Sequence, residues 1–362
     1  MKISKLYSNN NNFKTIVFDK GINFILSHTD GVGKSSLFKL IDFCLLGDKN
    51  FLGKEHFKDY VFYIELQISS NRYITIKRPT TGSKNIELKI TKQKSQLVNE
   101  RDFDKKGSIG VAKSYFENKV NYSINKFRTY ITYFLRDEDN QSDVFILNKY
   151  SCANEIEYKT TISNLLCIDG RKIRKKYELD EIIKKEDTES TSFKNAQSDL
   201  ERVIEENKTL ISSHFIDRFK NSIAKYGKMI LDKEITFLID FNTSNDIEFS
   251  MKVKNDEKSN DNLNDDVTIK KLLCLIFASA LAETYVQKRL IKFVAFDSPF
   301  DGDKNIYENG IYNAIHELHR IGIQTIITSN ENVIQNPKNL LEMENEYMTG
   351  YLSNDDKLMG DF

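Results

Sequence analysis

The sequence predicts an α/β fold: a parallel core sheet beside a small antiparallel sheet, with a short helical hairpin inserted. Three observations carry this. Residues 22–47 read as strand, glycine-rich loop, helix. Two continuous apolar strands alternate with helices near the end of the chain, as in a parallel sheet covered on both faces. Between these regions, residues 171–226 contain no glycine or proline and are dense in charge.

The elements follow in order. Residues 13–18 and 22–26 are short apolar or alternating runs around Asp19-Lys20-Gly21, the pattern of a hairpin or strand pair. Leu37, Leu40, Ile41, Cys44 and Leu45 recur at helical spacing, and Gly47 stops that helix. Residues 60–68, 72–78 and 86–90 read as antiparallel strands, and 111–120 and 126–136 as helices. In the charged stretch, Leu200, Val203, Ile204, Leu210, Ile211, Phe215 and Phe219 form a helical stripe. This predicts a hairpin arm with its tip near 187–192 and limbs of roughly 30–50 Å. A coiled coil and an ordinary surface helix pair both fit. Strands follow at 234–241 and 246–254, then a polar loop at 255–266 and a long apolar helix at 267–286. A buried strand at 291–296 ends at Asp297. A helix at 305–320 leads to a second buried strand at 323–327. The expected divisions are an N-terminal lobe at 1–157, the arm at 158–230 and a C-terminal lobe at 231–362.

Bulk properties bound the function. A chain of 362 residues holds one large α/β domain with an insertion, or two modest domains. With 40% hydrophobic and 29% charged residues it is not a disordered chain. Lys plus Arg and Asp plus Glu are 53 each, so no global field draws the protein to nucleic acid or membrane. Cys44, Cys152, Cys167 and Cys274 are far apart and read as buried reduced thiols. No signal-peptide core is visible, and no apolar run nears the ~18 residues of a membrane span. The expected location is cytoplasmic.

The chemistry concentrates in two motifs. In the segment Asp30-Gly31-Val32-Gly33-Lys34-Ser35-Ser36, glycines allow backbone N–H groups to approach phosphate oxygens, and the following helix adds its positive end. Lys34 would reach the β and γ phosphates, and Ser35 would place its hydroxyl on Mg2+. His28 stands where the GxxxxGK[ST] form asks for glycine, whereas Gly31 fits the longer GxxGxGK[ST][ST] form. The second motif is Asp297, delivered by an apolar strand to the carboxyl edge of the sheet, where ligands bind in such folds. It would hold the magnesium. A simple helix-capping aspartate is the alternative.

Lys34 and Asp297 are separated by over two hundred residues with an arm-like stretch between them. This layout resembles the ABC-type ATPases of the SMC/RecF/RecN class. It is most similar to a bacterial group whose Walker B reads Asp-Ser-Pro, as Asp297-Ser298-Pro299 does here. The opening Met1-Lys2-Ile3-Ser4-Lys5-Leu6, the helix Leu40-Ile41-Asp42-Phe43-Cys44-Leu45-Leu46-Gly47 and the segment Phe127-Arg128…Tyr133-Phe134-Leu135-Arg136 match as well. The resemblance implies an ATP- and Mg2+-dependent head that dimerises around nucleotide, in DNA-handling or phage-defence systems. It makes Asp301 the D-loop aspartate at the dimer interface. It makes Gln141 a Q-loop residue touching Mg2+ and the attacking water, where a plain loop glutamine is the alternative. Arg136 is read alternatively as an ion-pair partner of Asp137 or Glu138.

Three positions depart from the family pattern. Ser298 replaces the glutamate that polarises the attacking water, and Asp301 or Asp303 would have to substitute. The signature segment reads Asn264-Asp265-Asp266-Val267-Thr268-Ile269-Lys270-Lys271; Thr268 with Lys270 or Lys271 would supply a hydroxyl and a cation. Asp265 and Asp266 would alternatively cap the helix. Ser329 occupies the switch-histidine position. Slow or partner-dependent hydrolysis is expected, suited to a switch. The basic run Lys172, Arg174, Lys175, Lys176, Lys184 and Lys185 would contact duplex DNA phosphates or, with its interleaved acids, form a solvated helix face. Two functions follow: a DNA-associated dimerising ATPase, or a regulatory subunit that hydrolyses little and gates an effector such as a nuclease or toxin.

Overall fold

The computed structural model describes residues 1–29, 31–47, 57, 59–81, 85–94, 103–120, 124–147, 155–185, 190–209, 213–254, 266–286, 291–301, 305–353 and 357–358. Strands β1 (Lys2–Ser8), β2 (Ile16–Val17), β4 (Val61–Ser69), β5 (Arg72–Pro79), β6 (Ile86–Thr91) and β7 (Lys105–Gly107) form an antiparallel sheet, ordered β2-β1-β4-β5-β6-β7. Strands β3 (Ile22–Ser27), β8 (Leu135–Arg136), β11 (Phe293–Asp297), β12 (Gln324–Asn330) and β13 (Met348–Leu352) form a parallel sheet, ordered β13-β3-β12-β11-β8.

The hairpin expected at 13–26 does not form. β2 pairs with β1, while β3 crosses to the parallel sheet between β13 and β12. The burial pattern explains this. All six residues of β3 are buried, so it needs a sheet covered on both faces, whereas β2 buries Ile16 and exposes Val17. β1 is not legible in the sequence because a register shift between Ile3 and Lys5 breaks its alternation.

Helix α1 (Lys34–Cys44) follows the glycine loop. Its C-terminal carbonyls are buried and need donors. Arg78 donates to the carbonyls of Phe43 and Gly47. Arg128, on α3 (Ile124–Phe134), donates to the Leu45 carbonyl and pairs with Asp42 at 2.8 Å. Two segments that carry the family resemblance are therefore in contact. The last two residues of the helix read at 126–136 are instead β8, which pairs with β11.

Helices α5 (Gly170–Lys185) and α6 (Thr191–Thr209) pack on each other with a small core of their own, Leu179, Ala196 and Val203. With 16 and 19 residues they span about 24 and 28 Å, shorter than expected. Leu210, Ile211 and residues 187–189 of the expected tip lie outside the described residues. α7 (His214–Leu231) packs on α8 (Val267–Tyr285), and Phe219 is buried in the main core. The end of the stripe thus serves the head.

β9 (Ile235–Phe241) and β10 (Ile247–Val253) pair antiparallel near α7 and α4 (Glu155–Leu165). α9 (Glu308–Arg320) packs on α7, and α10 (Pro337–Glu342) precedes β13; neither α10 nor β13 was expected. Cys44 and Cys274 are buried as expected, but Cys167 is exposed, in a left-handed turn (φ 61°) after α4. Its neighbours Leu166 and Ile168, also past the end of α4, stay buried. Cys152 lies outside the described residues. Among the described residues no helix is long and apolar enough to cross a membrane.

Candidate functional site

The carboxyl ends of β3 and β11 define the site. β3 stops at Ser27 and the chain turns through the glycine loop into α1. Gly31 (φ 76°) and Gly33 (φ 104°) adopt left-handed conformations that side chains disfavour. A Cβ on Gly33 would stand 2.8 Å from the Leu358 Cβ. The Leu358 N–H donates to the Val32 carbonyl at 3.2 Å, and Val32 is buried, so this residue anchors the loop through main chain and core. His28, the departure from the shorter motif, pairs with Glu331 and meets the Tyr351 ring edge-on at 5.4 Å. It ties the loop to the end of β12.

Lys34 is buried and donates to Ser27 Oγ, with the Thr29 carbonyl at 3.5 Å. Asp297 is 2% exposed. Its Oδ1 accepts from Thr328 Oγ1 at 2.5 Å and from Ser298 Oγ at 3.3 Å. Its Oδ2 is buried with no hydrogen-bond partner. Gln141 is buried beside it: Nε2 donates to the Asp297 carbonyl at 2.9 Å and the Arg136 carbonyl at 3.1 Å, and Oε1 has no partner. Arg136 is not an ion-pair partner of Asp137 or Glu138. Its guanidinium donates to the carbonyls of Asn140, Asp143 and Val144, which shapes the loop carrying Gln141.

A cleft of about 420 Å3 brings these groups together. One wall is the loop and the start of α1, through Gly31, Gly33, Lys34, Ser35 and Ser36. The other is Asp297, Ser298 and Asp301, and Glu138 and Lys271 close the ends. Lys34, Ser35 and Asp297 therefore share one cavity. Asp30, Asp265 and Asp303 lie outside the described residues. Gln141 reaches the site through Asp297, and Thr268 does not line the cleft.

Glu138 and Lys271 are the cleft residues that sequence reasoning undervalued. By sequence Glu138 is only an ion-pair candidate for Arg136, and Lys271 only one of two candidate cations in the signature segment. Lys271 sits one turn into α8, where Asp266 accepts from the Thr268 and Ile269 N–H groups. That cap is the alternative reading of Asp266. Burial pushes the Lys271 ammonium pKa down, and the charges of Asp301, Asp297 and Glu138 oppose the shift. Burial pushes the Asp301 carboxyl up, while Lys271, Lys34 and a hydrogen bond from Ser298 pull it back.

Ser298 holds φ 48° and its N–H donates to the Thr328 carbonyl and hydroxyl, both at 3.1 Å. Ser329 is buried and its hydroxyl donates to the Asn330 carbonyl at 3.2 Å. The basic run is mostly consumed within the chain: Lys172 pairs with Glu206, Arg174 with Glu157, Lys176 with Asp180 and Asp246, and Lys184 and Lys185 with Glu181. Only Lys176–Asp180 and the Glu181 pairs are the within-helix kind expected of a solvated face; the others run to neighbouring elements, and Lys176 is buried.

The donors present suit a hard cation. Asp297 Oδ2, Gln141 Oε1 and the Ser35 hydroxyl are all oxygen ligands of the kind magnesium takes. Among the described residues no cluster of three or more His, Cys, Asp or Glu side chains could cage a metal alone. Phosphate oxygens and water would have to complete the shell.

No protein-family model and no curated protein matches this sequence. Solved structures do. A structure of an SMC head bound to the C-winged helix domain of ScpA aligns with a TM-score of 0.56 at 13% identity, covering 92% of this chain and 91% of that one. An SMC head with an extended coiled coil, bound to the C-terminal domain of ScpA and derived from Pyrococcus furiosus, gives 0.46 at 15% identity, covering 92% and 90%. An SMC head with a coiled coil and joint from Pyrococcus yayanosii gives 0.49 at 12%, covering 92% and 93%. The parallel sheet, the antiparallel sheet beside it and the first of these alignments together show that this chain has the fold of an SMC head domain, the ABC-type ATPase architecture.

Proposed function

We propose that this chain binds ATP with Mg2+ in the cleft between Lys34 and Asp297, hydrolyses it slowly, and uses the bound nucleotide to join two copies. The observation that carries the reading is the pair of buried, unpartnered oxygens, Asp297 Oδ2 and Gln141 Oε1, beside a glycine loop and a buried lysine. Left without a partner, each costs about 1–3 kcal/mol.

In this reading the loop N–H groups and Lys34 bind the phosphates. Asp297, Gln141 and Ser35 would hold magnesium, which would supply positive charge to the terminal phosphates. Gln141 orients through its bond to the Asp297 carbonyl. Lys271 adds a second cation inside the same cleft. Ser298 is no base near neutral pH, so polarising a water falls to Asp301 or Glu138, the other carboxylates lining the cleft. Such an arrangement is slow. The head would comprise lobes 1–157 and 231–362, with the arm at 158–230 between them. Val267 and Ile306, 78% and 70% exposed, flank Thr268 and Asp301 in sequence and support a second copy as the partner there.

A second reading is favoured by Ser298 and Ser329 at the usual glutamate and histidine positions. In it the chain is a nucleotide-binding regulatory subunit that gates an effector such as a nuclease or toxin and hydrolyses almost nothing. The SMC head aligned above binds ScpA, and a comparable partner protein would fit either reading. Work on DNA or in phage defence rests on the family resemblance. Direct DNA contact by the arm is weakened by its internal ion pairs.

ATP binding and phosphate release, with and without duplex DNA, test the proposal in wild type, Lys34→Ala and Asp301→Ala. Binding lost in Lys34→Ala by at least about tenfold is expected. Measurable release that falls in Asp301→Ala supports the ATPase. Tight binding with negligible release under every condition supports the regulatory subunit. Wild-type protein that binds no ATP would overturn both.

A further inference from the structure

A second cavity, of about 460 Å3, lies at the opposite end of the parallel sheet. It forms where strands begin. Lys20 stands just before β3, Lys292 just before β11, and Lys2 opens β1. The junction is stitched by Gln324, which donates to the Ile3 and Asp19 carbonyls and accepts from the Ile3 N–H. Lys2, Lys20 and Lys292 line the cavity together with Gln67 and Ser69 from the end of β4 and Ser70 from the turn after it. No carboxylate is among the lining residues. Among the described residues none of the three lysines has a carboxylate within ion-pair distance; Lys2 donates to the Lys20 carbonyl at 2.7 Å.

This is unusual in a chain whose charges balance and whose arm lysines are paired. Among the described residues, three lysines line one concave site with no carboxylate in its lining. Burial pushes the Lys2 ammonium pKa down, and the charges of Lys292 and Lys20 push it further. Ammonium donors, two serine hydroxyls and a glutamine amide form a set that is rich in donors and can surround phosphate oxygens.

We propose that the cavity of Lys2, Lys20 and Lys292 is a phosphate-binding site, separate from the nucleotide cleft. The two sites stand at opposite ends of β3 and β11, on the order of 20 Å apart for strands of this length. Each of these strands begins beside a lysine of the cavity and ends at the nucleotide cleft, in the glycine loop or at Asp297. The phosphate is that of a free phosphorylated molecule or of a nucleic-acid backbone, and the chemistry is shared.

Calorimetric titration of pyrophosphate into Lys34→Ala protein separates this site from the cleft. The expected result is saturable binding that weakens at least about tenfold when Lys20→Gln and Lys292→Gln are added, with ATP binding unchanged when the same pair is placed in otherwise wild-type protein. Ser69→Glu with Ser70→Glu, at the exposed end of β4 and the residue after it, should give the same loss without altering a buried position. A short duplex DNA forms the second arm. Weaker duplex binding in the lysine pair, with a shallower salt dependence, identifies a nucleic-acid source; loss confined to pyrophosphate identifies a free phosphate. Absence of both pyrophosphate and duplex binding, or pyrophosphate binding and duplex binding that both variant pairs leave intact, overturns the proposal. So does loss of ATP binding in Lys20→Gln/Lys292→Gln.

Discussion

Asp297 uses one carboxylate oxygen fully and leaves the other buried without a partner. A buried anionic oxygen in that state is a stability cost that a bound cation offsets. Asp297→Asn keeps an acceptor for Thr328 and removes the charge. Expected is a melting temperature equal to or above wild type, with phosphate release reduced about a hundredfold or more. A large drop in stability with unchanged release would show a purely structural aspartate. Gly33→Ala tests the loop in a different way. Its φ of 104° and the 2.8 Å approach to Leu358 strain any side chain, at about 1–3 kcal/mol. Both stability and ATP affinity should fall, read by thermal melting and nucleotide titration.

Helix ends and helix contacts set the scale above. Asp266→Ala removes the α8 cap and should cost about 1 kcal/mol in a denaturant midpoint measurement. If the aspartate only caps, phosphate release is unchanged. Lys225 on α7 bridges Glu283 on α8 and Glu317 on α9, and Arg320 pairs with Glu317. The Arg320 hydrogen bond, with help from Lys225, holds the Glu317 carboxyl down at about 2, below its ordinary 4.5. A depressed carboxylate stabilises the fold above its unfolded pKa and loses that contribution as pH falls through the folded one. Glu317→Gln should therefore lower stability by up to about 1 kcal/mol at neutral pH. The gap to wild type should close as the pH falls from 4.5 toward 2, followed by thermal melts across that range.

For the whole molecule, the decisive property is association. Val267, the residue before Thr268, and Ile306, five residues after Asp301, are large apolar side chains left in water. With a slowly hydrolysed ATP analogue, sedimentation should show a dimer. Val267→Glu with Ile306→Glu should hold the chain monomeric while ATP affinity stays at the wild-type value. A monomer under all conditions in the unsubstituted chain removes the dimer from the proposal.

β3, β11, β12, α1, α8 and the glycine loop are legible because each is a local pattern. Continuous apolar runs, helical spacing and a loop that only glycine tolerates are dictated by neighbours in the chain. Elements without such a pattern are not. β1 is broken by a register shift, β8 is two residues long, and β13 owes its place to pairing with β3. The same division holds at the site. Lys34, Ser35 and Asp297 were named from the sequence because motif spacing encodes phosphate and metal chemistry. Glu138 and Lys271 carry no motif, and they enter the cleft only because the loop after β8 and the first turn of α8 converge on it. The lysine cavity is hidden for the same reason, since Lys2, Lys20 and Lys292 are scattered along the chain and meet where three strands begin. Local sequence fixed which groups can do chemistry. Tertiary packing decided which of them share a cavity, because burial and charge depend on distance through space.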